Sequence, residues 1–290
     1  MRLVSYKRGP QFGLAAVTPA GYVDLAQTDS SLPGDMRSFL ALGDEGPKRA
    51  QAAAAKGRAF DPSEVELLAP VPNPQKVICI GLNYADHARE SGMQQPSEPV
   101  VFNKFPTAVV GHGQPIVVPG CATATDYEAE LVVVIGIGGR NIPRESAWQH
   151  IAGYCPGNDV SARDWQLKKP GGQWLLGKSF DTFAPCGPAL VTRDETDQPG
   201  NLRIQFRLNG KTLQDSRTDQ LIFPIDELVA YVSRICTLSP GDLLFTGTPS
   251  GVGSARKPPV YLEPGDTAEV EIEGLGTLSN PVVAERKNHE

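Results

Sequence analysis

Two acidic residues two positions apart, Glu128 and Glu130, stand near the start of the run Asp126-Tyr127-Glu128-Ala129-Glu130-Leu131-Val132-Val133-Val134-Ile135. On a strand they share one face, about 6.6 Å apart along the chain, and the apolar residues around and after them have the pattern of a buried strand. Two carboxylates so placed repel each other and are costly to desolvate, and a divalent cation relieves both problems. At a frayed, solvent-exposed strand end the same pair would carry no function. A third oxygen is available from Asp159, in Gly157-Asn158-Asp159-Val160-Ser161-Ala162-Arg163-Asp164-Trp165-Gln166, although taken alone it is equally a turn or N-cap residue. Three carboxylates without a His or Cys cluster favour a hard ion. Magnesium, which keeps water or substrate oxygens in its shell, suits a catalytic role.

A second constellation is Gly81-Leu82-Asn83-Tyr84-Ala85-Asp86-His87-Ala88-Arg89-Glu90. It follows a strand pattern and has helix-forming character, so His87 and Glu90, at i and i+3, share one helix face. A carboxylate beside an imidazole raises its basicity and orients it, as a water-activating base requires. The same spacing also describes an ordinary solvated face. Gly247-Thr248-Pro249-Ser250-Gly251-Val252-Gly253 lacks the Lys-Ser/Thr ending of a phosphate loop, and no helix pattern follows, so it fails as a nucleotide signal. It remains a loop whose backbone and Thr248 hydroxyl can approach a ligand. Lys178, in the apolar, glycine- and proline-marked surroundings of Gly177-Lys178-Ser179-Phe180-Asp181, is either an exposed lysine or the cation that meets a substrate carboxylate. His112, His150 and His289 show no metal-ligand spacing.

These groups need a framework to hold them. With 290 residues, 40% of them hydrophobic, the chain can bury a substantial core. A formal net charge of −6 without Lys/Arg clusters argues against nucleic acid or anionic membrane as partner. A small anionic substrate would then need local positive charge from a metal or a few basic residues. Five cysteines, an odd number with no CxxC pair, argue against a disulfide framework and a zinc-thiolate site. The N-terminus carries no apolar h-region and no run approaches the length of a membrane span. A cytoplasmic protein is expected, or a mitochondrial-matrix one if a transit peptide has been removed.

Three prolines in Pro70-Val71-Pro72-Asn73-Pro74 mark an extended connector. The expected division is a small N-terminal unit, 1–70, and a catalytic unit, 71–290. The alanine run Ala52–Ala55 reads as one or two turns of exposed helix. Lys76–Gly81, Pro115–Pro119 and Leu131–Ile137 are short β-branched runs bounded by Gly or Pro. Leu202, Ile204, Phe206 and Leu208 alternate with polar residues up to Asn209-Gly210, and Lys211–Gln214 follows, which predicts a hairpin with a type I′ turn. Ala268, Val270 and Ile272 alternate likewise. Leu228, Val229, Val232 and Ile235 share one face of a predicted amphipathic helix after Pro224 and Asp226. Strands dominate without regular βα alternation, so the expected class is α+β with curved mixed sheets.

In this order, the segments Gly-Leu-Asn-Tyr-Ala-Asp-His (81–87), Asp-Tyr-Glu-Ala-Glu-Leu (126–131), Asn-Asp-Val-Ser-Ala-Arg-Asp-Trp-Gln (158–166), Gly-Lys-Ser-Phe-Asp-Thr-Phe (177–183) and Pro-Gly-Asp-Leu-Leu-Phe-Thr-Gly-Thr-Pro-Ser-Gly-Val-Gly (240–253) resemble the fumarylacetoacetate hydrolase superfamily. The resemblance implies a mixed β-sheet roll with few helices, a homodimer, and a magnesium or manganese ion on Glu128, Glu130 and Asp159. It implies that His87 and Glu90 form a catalytic dyad on a lid. It also implies that Arg163, Gln166, Lys178 and Thr248 meet the substrate or its developing oxyanion. One departure is Cys155-Pro156-Gly157, where relatives resemble Thr-Val-Ala; a proline there is expected to alter the stiffness of the loop before Asp159. The implied chemistry is stabilisation of an enolate of a 2-oxo or 2,4-dioxo acid. Hydrolytic C–C cleavage of an acylpyruvate-type acid is favoured by the dyad. Oxaloacetate tautomerisation or decarboxylation is the alternative, and a non-catalytic ligand-binding member is a third class.

Overall fold

The computed structural model describes residues 1–90, 92 and 94–286; His289 lies outside them. The strand Ala129–Ile135 is buried at every position, because neighbours cover both of its faces. It pairs antiparallel with Ile151–Asn158 on one side and with Leu243–Phe245 on the other. Leu243–Phe245 runs parallel to Val77–Gly81, which pairs antiparallel with Val100–Lys104. In the other direction Ile151–Asn158 pairs with Leu190–Thr192, and that strand with Arg2–Arg8. The N-terminal strands Gln11–Thr18, Gly21–Asp24 and Ala59–Phe60 continue the same eleven-stranded sheet, so its hydrogen bonding crosses the proline-rich connector.

A second, five-stranded sheet has the order Lys211–Arg217, Arg203–Leu208, Thr267–Ile272, Gly276–Ala284, Ile116–Val118, the last pair parallel. Its alternation is clean. Ile204, Phe206 and Leu208, with Ala268, Val270 and Ile272, point into the core, and their neighbours do not. The hairpin turn is as expected from Asn-Gly: Asn209 has φ +52° and Gly210 φ +77°, both in the left-handed region of a type I′ turn. The fold is α+β, two large mixed sheets and two two-stranded ones with few and short helices, and a hydrophobic cluster joins the large sheets through such residues as Leu131, Val133, Phe206 and Phe245.

Three local expectations are corrected. Ile235 closes the helix Ile225–Ile235 at 70% exposure, while Leu228, Val229 and Val232 are buried. It sits in the last turn, past the reach of the core. The alanine run belongs to the helix Glu45–Ala54, whose Ala50 and Ala53 are buried, so one face packs. Pro156 lies in the strand Ile151–Asn158, opposite Leu131, and not in a loop. Beside it the Leu131 carbonyl accepts from the backbone N–H and the hydroxyl of Thr246.

Candidate active site

The ligand candidates converge because two strands are zipped at their ends. Asn158 pairs with Ala129, the Asn158 side chain accepts from Glu128 N–H at 3.0 Å, and Asp159 N–H donates to the Glu128 carbonyl at 2.9 Å. One carboxylate oxygen from each of Glu128, Glu130 and Asp159 then lies within 4.8 Å of the others, all three residues being buried. Glu130 Oε2 accepts from the Gly247 N–H at 2.8 Å, so the loop after Leu243–Phe245 touches the same cluster.

Cations surround it. Lys178 Nζ is 2.8 Å from Glu128 Oε2 and 2.8 Å from Asp159 Oδ2, and 5.0 Å from the centroid of the Phe102 ring. Arg163 bridges Asp126 (2.8 Å) and Glu128 (2.6 Å) and donates to Gln166 Oε1 at 2.9 Å. Lys104, which no sequence pattern marks, stands 2.6 Å from Asp159 Oδ1 and is 1% exposed. Its directed hydrogen bonds go to the carbonyls of Val160, Lys178 and Phe183, at 2.9, 2.6 and 2.6 Å. Asp159 Oδ1 therefore has a neighbouring charge and no aligned hydrogen bond.

This separates the carboxylates electrostatically. Burial opposes the charge of Glu128, but Lys178 and Arg163 outweigh it and hold its pKa at about 2. Burial, then Asp159 and Glu128, push Glu130 well above the usual range, because no cation bonds it directly. Burial depresses Lys104 in spite of Asp159, whereas Asp159 and Glu128 overcome burial and raise Lys178. An all-oxygen set with one buried, unaligned carboxylate oxygen and a second carboxylate that resists ionisation fits a hard divalent cation. Glu128, Glu130 and Asp159 would hold it.

Above the cluster, the helix Ala85–Glu90 carries His87 Nδ1 3.4 Å from Glu90 Oε2, with side-chain exposures of 13% and 27%. Both Glu90 oxygens accept from Gly251 N–H at 3.0 Å, and Asp86 accepts from the Ser216 hydroxyl at 2.6 Å. The helix is thus latched onto the loop 247–253 and the second sheet. Its approach starts at Leu82, whose φ of +53° is unusual for a branched residue. Asn83 holds the approach in place by bonding both the N–H and the carbonyl of Phe223 and the carbonyl of Thr246.

All nine residues singled out in the sequence lie in this region, but not all as free ligand contacts. Arg163 and Gln166 bond protein groups, and the Thr248 hydroxyl accepts from Gln214 Nε2 at 2.9 Å. Sequence reasoning missed Lys104, Asn83, Gln214 and Asp126. Asp126 accepts from the N–H groups of Tyr127, Gly253 and Ser254 as well as from Arg163. That contact requires glycine at 253, where a Cβ would stand 1.8 Å from the Val260 carbonyl and 2.5 Å from Asp126 Oδ1. An Asp-x-Glu-x-Glu spacing pointed to Asp126, and Asn83 lay inside the 81–90 constellation without a role assigned to it; nothing in sequence marked Lys104 or Gln214.

A roll of two mixed sheets with a carboxylate triad, two buried lysines and a His–Glu helix defines an enzyme class, and the chain belongs to the fumarylacetoacetate hydrolase family: the model for fumarylacetoacetate (FAA) hydrolase C-terminal matches residues 76–283. Similarity extends well beyond that stretch. The chain is 48% identical over 288 residues to oxaloacetate tautomerase fahd2, mitochondrial, of Xenopus laevis, covering 98% of this chain and 90% of that one. It is 46% identical to fumarylacetoacetate hydrolase domain-containing protein 2 of Pongo abelii, over 98% of this chain and 92% of the relative. Among solved structures, a fumarylacetoacetate hydrolase from psychrophilic Exiguobacterium antarcticum superposes with a TM-score of 0.87 at 34% identity, covering 98% of this chain and 100% of that one. Among the described residues no helix is long and apolar enough to cross a membrane.

Proposed function

We propose that this enzyme interconverts the keto and enol forms of oxaloacetate, with magnesium or manganese held by Glu128, Glu130 and Asp159. The observation that carries the proposal is the near full-length likeness to an oxaloacetate tautomerase. When bound, the ion supplies Lewis-acid polarisation of the C2 carbonyl of a 2-oxo acid. The side chains do the rest. Lys178 places an ammonium where negative charge builds on the C2 oxygen. His87, oriented by Glu90, takes the proton from one tautomeric position and returns it to the other, between C3 and the C2 oxygen. Arg163 keeps Glu128 ionised, Gln166 steadies Arg163, and Thr248 offers its hydroxyl to a substrate oxygen. The latch of Glu90 on Gly251 keeps bulk water from competing for the proton.

Tautomerisation breaks no carbon–carbon bond and consumes no water. The likeness to an oxaloacetate tautomerase favours it over the hydrolytic cleavage of an acylpyruvate expected from the dyad. Hydrolysis remains the second reading, favoured by the same His87–Glu90 geometry, which also suits activation of water. With the function we propose a homodimer, a mitochondrial rather than cytoplasmic setting in line with the relative's name, and a division of labour at residue 70 between framework and catalytic unit. The experiment is to add the enol form of oxaloacetate to magnesium-loaded protein and follow the loss of enol absorbance. Relaxation to the keto–enol equilibrium well above the buffer rate, with total oxaloacetate conserved, is expected. No acceleration, beside steady cleavage of acylpyruvates, would overturn the proposal in favour of the hydrolase.

A further inference from the structure

Gln214 lies on the strand Lys211–Arg217, is 1% exposed, and is remote in sequence from all nine residues singled out from the sequence. Its side-chain amide makes three hydrogen bonds, and two of the partners have fixed polarity. The Ala129 N–H, between the ligand candidates Glu128 and Glu130, can only donate, so it meets Oε1 at 2.9 Å. The Pro249 carbonyl can only accept, so it meets Nε2 at 2.8 Å. The orientation of the amide follows from these two contacts alone. The remaining Nε2 proton points at Thr248 Oγ1, 2.9 Å away.

An amide N–H gives a proton and cannot receive one. The Thr248 oxygen is therefore the acceptor in this contact, and its own O–H must donate elsewhere. Among the described residues the hydroxyl makes only the hydrogen bond from Gln214, although Thr248 is just 5% exposed. Thr248 directly follows Gly247, whose N–H is bonded to Glu130. An oriented, unspent donor thus stands beside the carboxylate cluster. A buried donor without a partner is costly until an acceptor arrives.

We propose that Gln214 is a positioning residue that fixes the Thr248 hydroxyl as a donor to an anionic oxygen, carboxylate or enolate, of the bound 2-oxo acid. Through Ala129 it also sets that donor in register with the metal-ligand strand. The inference rests on the functional reading above only in taking the anion to be the substrate's.

A double-mutant cycle tests it, read both as kcat/KM for oxaloacetate and as the Kd of oxalate for magnesium-loaded protein. Thr248→Val is expected to weaken oxalate by about 10- to 100-fold, the scale of one hydrogen bond to a charged group. Gln214→Met is expected to do nearly the same, and the double variant to be no worse than Thr248→Val. Thr248→Ser should retain binding. Gln214→Glu keeps the shape but offers Thr248 an acceptor, so it should weaken oxalate too; it carries the cycle if Gln214→Met does not fold. Multiplicative effects in the double variant overturn the proposal and make Gln214 a packing residue. So does a Thr248→Val protein that binds oxalate normally. A wild type inert toward oxaloacetate, with the oxalate cycle still non-additive, would sink the tautomerase reading and leave this inference standing.

Discussion

Two clusters of charge in this molecule have the same composition and opposite consequences. On the outer face of the five-stranded sheet Arg203, Arg207 and Arg217 meet Asp215, Glu269, Glu271 and Glu273. In the site Lys104, Lys178 and Arg163 meet Asp126, Glu128, Glu130 and Asp159. Each holds three cations and four carboxylates. The outer groups reach water: Arg203 and Asp215 are 52% and 44% exposed while 2.6 Å apart, and the least exposed pair, Arg207 and Glu269, is still 22% and 26% exposed. Water and salt screen such pairs and leave little net effect. The inner groups are dry, so the one uncompensated carboxylate is not screened, and it falls on Glu130. In the proposed reading, burial turns a charge imbalance from a solubility feature into a place for a cation.

The comparison can be broken at several points. The largest effect is expected from the metal itself: EDTA treatment should abolish turnover, magnesium or manganese should restore it, and Glu130→Gln should resist restoration. Full activity in metal-free protein, checked by elemental analysis, would refute this. Next, His87→Ala should lower kcat by roughly 10²–10⁴-fold with metal affinity little changed; turnover within a few-fold of wild type removes His87 from the chemistry. Lys104→Met tests the dry cluster as structure. Removing one partner of a buried pair should cost about 3–5 kcal/mol in chemical denaturation, and an unchanged midpoint would show that Asp159 needs no counter-charge there.

A smaller effect concerns pH. Glu130 is raised above its unfolded value, so the metal-free fold loses stability as pH rises from the ordinary glutamate range through the folded pKa. Glu128 has the opposite sign, its contribution being present above the unfolded value and lost as pH falls toward about 2. A divalent ion competes with the Glu130 proton, so the magnesium-induced rise in Tm should grow as pH rises above the ordinary glutamate range toward the raised folded pKa. A rise independent of pH argues that Glu130 is already ionised without metal. Smallest of all, Arg203→Ala on the outer sheet should leave kcat/KM within about twofold and Tm within about 2 °C; a larger loss would mean the two clusters are not so different.

What sequence revealed and what it hid divide along physical lines. Glu128 and Glu130 were legible because alternation along an extended chain sets relative direction, although the strand itself begins at Ala129, and His87 with Glu90 because helix periodicity does. The Asn209-Gly210 turn followed from backbone conformation alone. Lys104 gave no sign: it ends the strand Val100–Lys104, whose burial pattern otherwise reads as exposed or intermediate, and a single lysine there looks solvated. Only the three carbonyls converging on it from residues 160, 178 and 183 make it internal. Gln214 was hidden for a similar reason, since its partners Ala129 and Thr248 are 85 and 34 positions away. Periodicity describes the neighbours a residue has along the chain, and these side chains act on neighbours supplied by topology.

The strand Leu243–Phe245 sits between Ala129–Ile135 and Val77–Gly81, yet it is made long after both. As the chain leaves the ribosome, its two future neighbours emerge with facing edges bare and must wait for more than a hundred further residues. Open edges of apolar strands invite pairing with other chains. The last piece of the largest sheet is also the piece that delivers Gly247 to Glu130 and Thr248 to Gln214. Closure of the largest sheet and completion of the site therefore depend on one and the same late-made segment.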